Sequence, residues 1–454
     1  MRSKQNLARV GAVVALAGVV FVFLWFAAER HGFFDLKVYY GAINYWAHGH
    51  GELYDYLKPF SEYGFTYPPF AALTMLPMAV VAWPVAIAIS ATLTVVSSLV
   101  MLIWIVGPMA RRRGWVPWFA VAVAACLIAA YEPLRETFLF GQVNMLLLVM
   151  VGADLLYLVR RKHPLGGAVI GLATAIKLTP GLFIVYLLLT RRWRAALVSM
   201  ATALAATVAA AAIAPDASRE FWTDALWNTT RVGSQAFISN QSLNGFVARL
   251  SPLDPSRGLW LVLVAVVLVI WVWRVRRAAA AGDDLGGFAL TGVTGCLLSP
   301  FTWIHHLVWL LPALLLTVDR ALLPGVSRRR QRALLTFAVL LYALLCSRLV
   351  WSFAFHFGGW GLLGANAYAY ASLALLLVLP LVGGSSDETR SVLASATNRL
   401  RLRSDGRVQH VANLVEQDGA TVGPLDRVGA ALTVEDEAVP LVEPARPVVR
   451  VEHP

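Results

Sequence analysis

Residues 10–28 read VGAVVALAGVVFVFLWFAA, an unbroken apolar run between Arg9 and Glu29. A run of roughly 20 apolar residues is what an α-helix needs to cross the hydrocarbon core of a bilayer. Further runs of about 17–25 residues recur along the chain, separated by Arg-rich or Pro/Gly-rich breaks. Because so many runs follow, residues 10–28 are interpreted as an uncleaved first helix rather than a signal peptide. The pattern predicts an all-α, polytopic integral membrane protein with about twelve transmembrane helices.

The composition excludes a water-soluble globule. Hydrophobic residues make up 58% of the 454 residues and charged residues 14%, against roughly 45–50% and 25% in soluble domains. The net charge of +12 comes from short clusters beside the apolar runs, which indicates membrane topology rather than nucleic-acid binding. Cys126, Cys296 and Cys346 each lie in an apolar segment without CxxC spacing, so the sequence predicts neither a disulfide framework nor a zinc site.

The last part of the chain differs from the rest. Residues 383–454 contain 8 Lys/Arg, 11 Asp/Glu and no aromatic residue, whereas the residues before them hold 30 basic and 15 acidic side chains. Such a polar segment cannot bury enough apolar surface to fold alone. We therefore predict a transmembrane domain over 1–382 and a largely disordered cytoplasmic tail over 383–454.

The charge distribution predicts which way the domain faces. Lys and Arg are enriched in cytoplasmic loops, so the basic clusters are expected inside the cell. The long segments 29–68 and 215–257 carry many of the acidic residues, with aromatics, Asn and Gly, and are predicted to be extracytoplasmic loops bearing interfacial helices. Long loops are usually functional, so the active surface is expected on the outer face of the plasma membrane. The basic clusters are Arg111–Arg113, Arg160–Lys162, Arg191–Arg194, Arg274–Arg277 and Arg328–Arg332.

Asp35 is the candidate catalytic residue of the first outer loop. The stretch that it begins, residues 35–47, places Leu36, Tyr39 and Ile43 on one helical face, as in a helix lying at the membrane surface. There Asp35 could cap the helix, or serve as a general base for a lipid-linked alcohol, ionised through an ordinary pKa near 4. The residue pattern leaves both readings open.

Further polar side chains lie at the ends of the apolar runs or in the loops that join them. Three of these sites have a structural alternative: a helix start for Tyr67, neighbour hydrogen bonding for Gln142 and Asn144, and snorkelling for Lys177. The amides of the second long loop show no packing motive in the sequence. As binding residues, all of these side chains would contact a polar substrate from the outer side. They are Tyr67 in Phe65–Phe70, Gln142 and Asn144 in the run Gly141–Asn144, Lys177 before Pro180, and Asn240, Gln241 and Arg249 in the second long loop.

His305 and His306 are unusual because histidine is costly inside an apolar run. On an α-helix, successive side chains point about 100° apart, so one ring is expected to face a cavity while the other contacts a neighbouring helix. This divergence disfavours metal ligation by the pair. It favours a phosphate-facing imidazole, with a buried, hydrogen-bonded structural histidine as the alternative.

These motifs together resemble glycosyltransferase family 87, polyprenol-phosphate-mannose-dependent mannosyltransferases of the membrane-embedded GT-C superfamily. Each motif is weak alone, but their common order over roughly residues 30–310 is specific. Within the family, the chain is most similar to members that act on phosphatidylinositol mannosides. The matching stretches are Asp35–Tyr40, Phe65–Pro69, Gly141–Asn144, Lys177–Pro180, Asn240–Asn244 and Ser299–His306.

The resemblance implies a GT-C-like fold, a polyprenyl phosphate mannose donor, a phosphatidylinositol mannoside acceptor and an α-1,2-linked product formed with inversion. It implies Asp35 as the base and His305 or His306 as the phosphate ligand, with Lys177, Lys37 and Arg249 as weaker candidates. The outer loops contain no Asp-x-Asp, and cationic side chains can neutralise a monophosphate leaving group. No metal and no cofactor are therefore expected, and protein partners are left open.

Two alternatives remain at the level of sequence. A sister enzyme would use another polyprenyl-linked sugar, as a lipomannan or lipoarabinomannan mannosyltransferase or an arabinofuranosyltransferase does, with the same fold and base. A lipid or sugar transporter would also explain the helices, Lys177 and the histidines, but transporters commonly show pseudo-symmetric halves. No such internal symmetry is visible in this sequence.

Overall fold

The computed structural model describes residues 2–27, 31–354, 356 and 358–382. Within these residues the regular structure is α-helix with short 3₁₀ and π turns, and the only β-pairing is an isolated bridge between Leu57 and Gly64. The predicted all-α class is therefore confirmed for the described part of the chain. The predicted tail, 383–454, lies outside the described residues, so its disorder and the domain boundary stay predictions.

Eighteen α-helices follow one another in the described part. They are α1 (Arg2–Ala27), α2 (Phe34–Ala47), α3 (Pro69–Met75), α4 (Trp83–Arg112), α5 (Pro117–Ala130), α6 (Glu132–Phe140), α7 (Asn144–Ala153), α8 (Ala168–Ile176), α9 (Leu182–Leu189), α10 (Trp193–Ile213), α11 (Pro215–Glu220), α12 (Leu243–Leu250), α13 (Arg257–Ala280), α14 (Asp284–Leu298), α15 (Leu311–Ala321), α16 (Arg328–Cys346), α17 (Trp360–Ala365) and α18 (Ala367–Val378).

Five helical stretches of the described residues are long and apolar enough to cross a membrane, or six if the bent pair α5–α6 is one span. The five lie at Lys4–Ala27, Trp83–Arg112, Trp193–Ile213, Arg257–Ala280 and Ile304–Ala321. Five shorter apolar helical stretches accompany them. The chain thus has the helices of a membrane protein, whereas the predicted total of about twelve is not established by these lengths.

Proline explains where several apolar runs break. Pro133 opens α6, and the helix pair α5–α6 bends by 73°, because proline lacks the N–H that would continue the preceding helix. Pro180 follows Lys177, which ends α8 in an extended conformation at φ −149° and ψ 128°. Both breaks turn polar side chains toward the same end of the helices.

The two ends of the helical domain differ in character. At one end, Arg112 and Arg113 bind Asp319, and Arg320 pairs with the buried Asp283 at 2.7 Å. α14 begins beside Asp283 and ends at Leu298, just before the segment that carries the histidines. The histidines therefore lie at the opposite end of α14 from these arginines.

Candidate active site

A cavity of about 600 Å³ opens at the end of the domain opposite these arginines. It is formed by the start of α2, the end of α6, the break between α8 and α9, and the 3₁₀ turn Ile304–Leu310. Its lining combines aromatic rings with titratable groups, as in pockets that bind small molecules. The polar and aromatic side chains that matter below are His31, Asp35, Tyr39, Tyr67, Glu136, Gln142, Lys177, Arg231, Trp303, His305 and His306.

Asp35 lies in the first turn of α2 and lines this cavity. The residue that caps α2 is Phe33, in the left-handed region at φ 56°, and no side chain caps the helix. Instead, the Asp35 Oδ2 atom accepts a 2.6 Å hydrogen bond from Nε2 of Gln142. The structure therefore does not use Asp35 as a helix cap and points its carboxylate at the cavity wall.

The surroundings change the acidity of Asp35. Burial raises its pKa to about 6, against the lowering effects of the Gln142 hydrogen bond and of the charges of Lys177 and His31. Glu136 adds a smaller raising effect. The expected ordinary pKa near 4 is therefore wrong, because the sequence does not show how far the protein removes the carboxylate from water. At pH 7 the group is still mostly ionised and is a better proton acceptor than a solvated Asp.

A chain of hydrogen bonds connects Asp35 with Lys177. Gln142 accepts from the hydroxyl of Tyr67 at 2.9 Å, and that hydroxyl accepts from Nζ of Lys177 at 3.2 Å and from Tyr39 at 3.0 Å. Lys177 is 9% exposed and also donates to Oδ1 of Asn144 at 2.9 Å. The structure thus brings Tyr67, Gln142, Asn144 and Lys177 together behind Asp35, as the sequence motifs predict.

His305 and His306 belong to the 3₁₀ turn Ile304–Leu310, and both line the cavity. Their rings meet edge to face with centroids 4.6 Å apart. The expectation that only one faces the cavity is wrong, because both rings line it although successive side chains of a 3₁₀ turn diverge by about 120°. Nε2 of His306 lies 3.0 Å from Nζ of Lys177, whereas the buried Nε2 of His305 has no hydrogen-bond partner among the described residues.

A His31–Glu136 pair forms another part of the cavity wall, which the motifs did not indicate. Nε2 of His31 lies 3.0 Å from the Glu136 carboxylate, and its ring stacks on Phe140 with centroids 4.2 Å apart. The signal for it in the sequence is the charged start of α6, where Glu132, Arg135 and Glu136 interrupt an otherwise apolar region. Only the fold shows that Glu136 approaches Asp35.

Five predicted binding residues do not line the cavity, and one of them, Asn144, instead accepts a hydrogen bond from Lys177. Lys37 is exposed on α2, and Asn240 accepts from the backbone of Thr302 at 2.9 Å. Gln241 bonds the backbone at Ile238, Ala365 and Ala369, and Arg249 bonds Asn366 and the carbonyls of Phe237 and Asn240. The predicted substrate contacts of these side chains are therefore corrected: three hold the second long loop against α18 and the histidine segment, because buried amide and guanidinium groups need partners.

No group of three or more His, Cys, Asp and Glu side chains in the part of the chain that the structure describes could hold a metal ion. The expectation of a metal-free reaction is not tested by this observation and stays a prediction. The cationic groups that face the cavity are Lys177 and Arg231, with the imidazoles of His31, His305 and His306 beside them.

Several known proteins are similar to this chain. A phosphatidylinositol mannoside mannosyltransferase of Mycolicibacterium smegmatis, named polyprenol-phosphate-mannose-dependent and alpha-(1-2), is 36% identical over 68% of this chain and 75% of its own length. A pentamannoside mannosyltransferase of Mycobacterium tuberculosis, named in the same terms, is 32% identical over 73% and 75%. An alpha-(1->3)-arabinofuranosyltransferase of Corynebacterium glutamicum is 26% identical over 57% and 60%. No solved structure matches the chain.

The family model of glycosyltransferase family 87 matches residues 65–300. This range includes Tyr67, Gln142 and Lys177, whereas Asp35 and the histidine pair lie outside it. The range covers more than half of the 454 residues, and similarity to the relatives extends over two thirds of the chain. The chain therefore belongs to glycosyltransferase family 87 and is a membrane glycosyltransferase.

Proposed function

We propose that this glycosyltransferase transfers mannose from polyprenyl phosphate mannose to a phosphatidylinositol mannoside, forming an α-1,2 linkage with inversion. The observation that carries the proposal is the placement of a carboxylate, Asp35, and a cation, Lys177, in one cavity, joined through Gln142 and Tyr67. The names of the relatives support the donor and the acceptor.

Asp35 acts on the acceptor as the general base. In a single displacement, the acceptor oxygen forms a bond to C1 of mannose while its proton passes to the Asp35 carboxylate. Gln142 holds Oδ2, which leaves the other carboxylate oxygen to take the proton. A fixed carboxylate of this kind is worth about 10²–10⁴ in rate as a general base, and its placement matters as much as its basicity.

Lys177 and the histidines stabilise the leaving group. As the bond between C1 and the phosphate oxygen breaks, its electron pair stays on the lipid phosphate and adds negative charge there. Lys177 is held by Asn144 and Tyr67 beside His306, so it faces the cavity without having to reorganise. Preorganised donors and charges of this kind stabilise developing charge most strongly away from water.

The location of the arginine clusters in the fold supports an extracytoplasmic site. The Arg112–Arg113 cluster and Arg192 sit at the end of the domain opposite the cavity, where they bind Asp319 and Asp284. By the positive-inside rule this end is cytoplasmic, so the cavity opens to the outer leaflet of the plasma membrane.

Cysteine labelling tests this orientation. Ser251→Cys, in the exposed second outer loop, is expected to react with an impermeant thiol reagent in intact cells, and Arg329→Cys, exposed at the start of α16, only after permeabilisation. The native cysteines lie in apolar segments, and the unsubstituted chain provides their background. Labelling of Arg329→Cys in intact cells contradicts the orientation.

The substrates are tested with purified protein and lipid substrates, read by mass spectrometry. Polyprenyl phosphate mannose and a tetramannosylated phosphatidylinositol are expected to give one added mannose, and linkage analysis is expected to give α-1,2. The second candidate, favoured by the similarity to an arabinofuranosyltransferase, predicts a product only with a polyprenyl phosphate arabinofuranose donor. A product from that donor alone overturns the assignment of mannose.

The pH profile follows from the raised pKa of Asp35. Only the ionised carboxylate accepts a proton, so turnover is expected to fall about tenfold per pH unit below about pH 6. The charged groups near Asp35 are Lys177, His31 and Glu136, and the melting temperature at each pH separates their structural effects from catalysis. A flat turnover profile through pH 6 in folded protein contradicts this role.

A further inference from the structure

A second pocket, of about 560 Å³, lies at the opposite end of the domain from the catalytic cavity. It is bordered by the end of α13, the start of α16 and the segment 377–382 that follows α18. Three arginines reach it, namely Arg274 and Arg277 from α13 and Arg330 from α16. This place carries no role in the glycosyl transfer proposed above.

Buried charges hold the wall of this pocket in place. Arg274 is 7% exposed and donates to the carbonyls of Leu376 and Leu379. Arg320 donates to the Pro380 carbonyl, and Asp283 accepts from the backbone N–H of Val382 at 3.2 Å. Because these groups are buried and mutually bonded, the pocket wall is a fixed part of the fold.

The pocket carries positive charge that nearby carboxylates do not neutralise. Arg320 binds Asp283, and Arg192 binds Asp284. Asp319 is bound by both Arg112 and Arg113. No described Asp or Glu lines the pocket, and no described carboxylate pairs with Arg277 or Arg330. A group with negative charge would therefore be attracted to this place.

An apolar groove of about 580 Å³ continues from the pocket along α13. The two share Trp273, Arg277 and Ala280, and the groove extends to Leu268 and Val269. Val269 is 70% exposed and Trp273 57% exposed, on a helix long enough to span the membrane. Arg277 also lies over the Trp273 ring, 4.9 Å from its centroid, an arrangement typical of the headgroup level of a bilayer.

We propose that the pocket and the groove together bind one anionic phospholipid of the leaflet on the arginine-rich side. Its phosphate lies among Arg274, Arg277 and Arg330, and one acyl chain follows the groove past Val269. Arginine recognises phosphate through paired N–H donors, and basic pockets between membrane helices bind anionic headgroups. The proposal does not depend on which sugar or acceptor the enzyme uses.

The competing occupant is the chain's own acidic run Glu435–Glu437, which could supply negative charge to the same arginines. An acidic peptide would satisfy the pocket but not the part of the groove beyond Arg276 and Arg277, where Leu268, Val269 and Val272 are apolar. A phospholipid satisfies both, because its charged headgroup and its hydrocarbon are joined in one molecule and the two spaces share Trp273, Arg277 and Ala280. The continuity of the two spaces therefore favours the lipid.

The test measures binding of a fluorescent phosphatidylglycerol to the full chain in detergent, with a phosphatidylcholine of the same acyl chains as the neutral comparison. Phosphatidylglycerol is expected to bind more tightly, and Arg277→Gln with Arg330→Gln to weaken its binding roughly 30-fold, since each arginine near the membrane surface contributes about fivefold. Arg328→Gln with Arg329→Gln is the matched control, since both side chains are exposed on α16 but line neither space.

The outcomes are distinct. Equal binding of the two lipids, or an equal loss in the control variant, overturns the proposal. Neutralising the acidic run by Glu435→Gln, Asp436→Asn and Glu437→Gln is expected to leave lipid binding unchanged. Tighter lipid binding in that variant would identify the tail as the occupant and also overturns the proposal. Turnover is expected to stay within about twofold in all of these variants, because their residues lie away from the catalytic cavity.

Discussion

Replacing Asp35 with Asn is expected to lower turnover by about 10²–10⁴-fold, the usual worth of a general base. Asn keeps an oxygen that can accept the hydrogen bond from Gln142, so the shape of the cavity wall is retained while the proton acceptor is lost. The measurement is turnover of the purified variant at saturating donor and acceptor. Asp55→Asn is the matched control, because Asp55 belongs to the same loop but is exposed and does not line the cavity.

The stability of the Asn variant distinguishes catalysis from structure. The pKa of Asp35 is raised in the folded state, so ionising the group costs folding free energy as the pH rises through about 6. A neutral Asn does not incur this cost, and the variant is expected to melt at the same temperature as the parent protein or higher at pH 7. An Asn variant that keeps its activity contradicts the assignment. The base would then be sought at Glu136, the other acidic residue that lines the cavity.

The part of the site that could be predicted from the sequence consists of polar residues at the ends of apolar runs. Tyr67, Gln142, Asn144 and Lys177 have no partners within their own segments, so their polarity indicates contacts elsewhere. The structure joins them in one hydrogen-bonded chain that reaches Asp35. Short motifs sufficed here because each one combines a helix end with a side chain directed toward the same end of the domain.

The same reasoning failed for Asn240, Gln241 and Arg249. A loop rich in amides looks the same in the sequence whether it binds a substrate or holds its own backbone. In the fold, Arg249 is 1% exposed and fully engaged with Asn366 and two carbonyls, and this depends on how α12 packs against α18. Tertiary packing of this kind, like the burial that raises the pKa of Asp35, is not encoded in any short stretch of the chain.

The helix count shows a related limit. Hydropathy identifies apolar runs, but it does not show how a run is divided when proline interrupts it. The run around Pro180 becomes α8, an extended Lys177 and α9. This break is what brings the Lys177 amine within hydrogen-bonding distance of Tyr67, Asn144 and His306. The irregular backbone that complicates the count is therefore also what builds the site.

Replacing Lys177 with Gln is expected to lower turnover by about 10²–10³-fold, the loss typical of removing one preorganised charge stabiliser. Gln retains hydrogen-bonding capacity near Asn144 and Tyr67 but lacks the positive charge that opposes the growing charge on the leaving phosphate. His306→Gln is expected to lose activity too, because Nε2 of His306 lies 3.0 Å from the Lys177 amine. The measurements are kcat and KM for polyprenyl phosphate mannose, with melting temperatures as the check on folding.

A donor with a different leaving group separates charge stabilisation from simple binding. In β-mannosyl fluoride the C1–F bond breaks and its electron pair leaves on fluoride, so no charge is added to a phosphate. The penalty of Lys177→Gln is therefore expected to shrink by at least tenfold with this donor, whereas the penalty of Asp35→Asn should persist. Lys37→Gln is the matched control, since Lys37 is exposed and does not line the cavity. Equal penalties for Lys177→Gln with both donors would mean that Lys177 supports the cavity wall. The phosphate ligand would then be sought at Arg231, whose guanidinium also lines the cavity and has a buried nitrogen without a hydrogen-bond partner among the described residues.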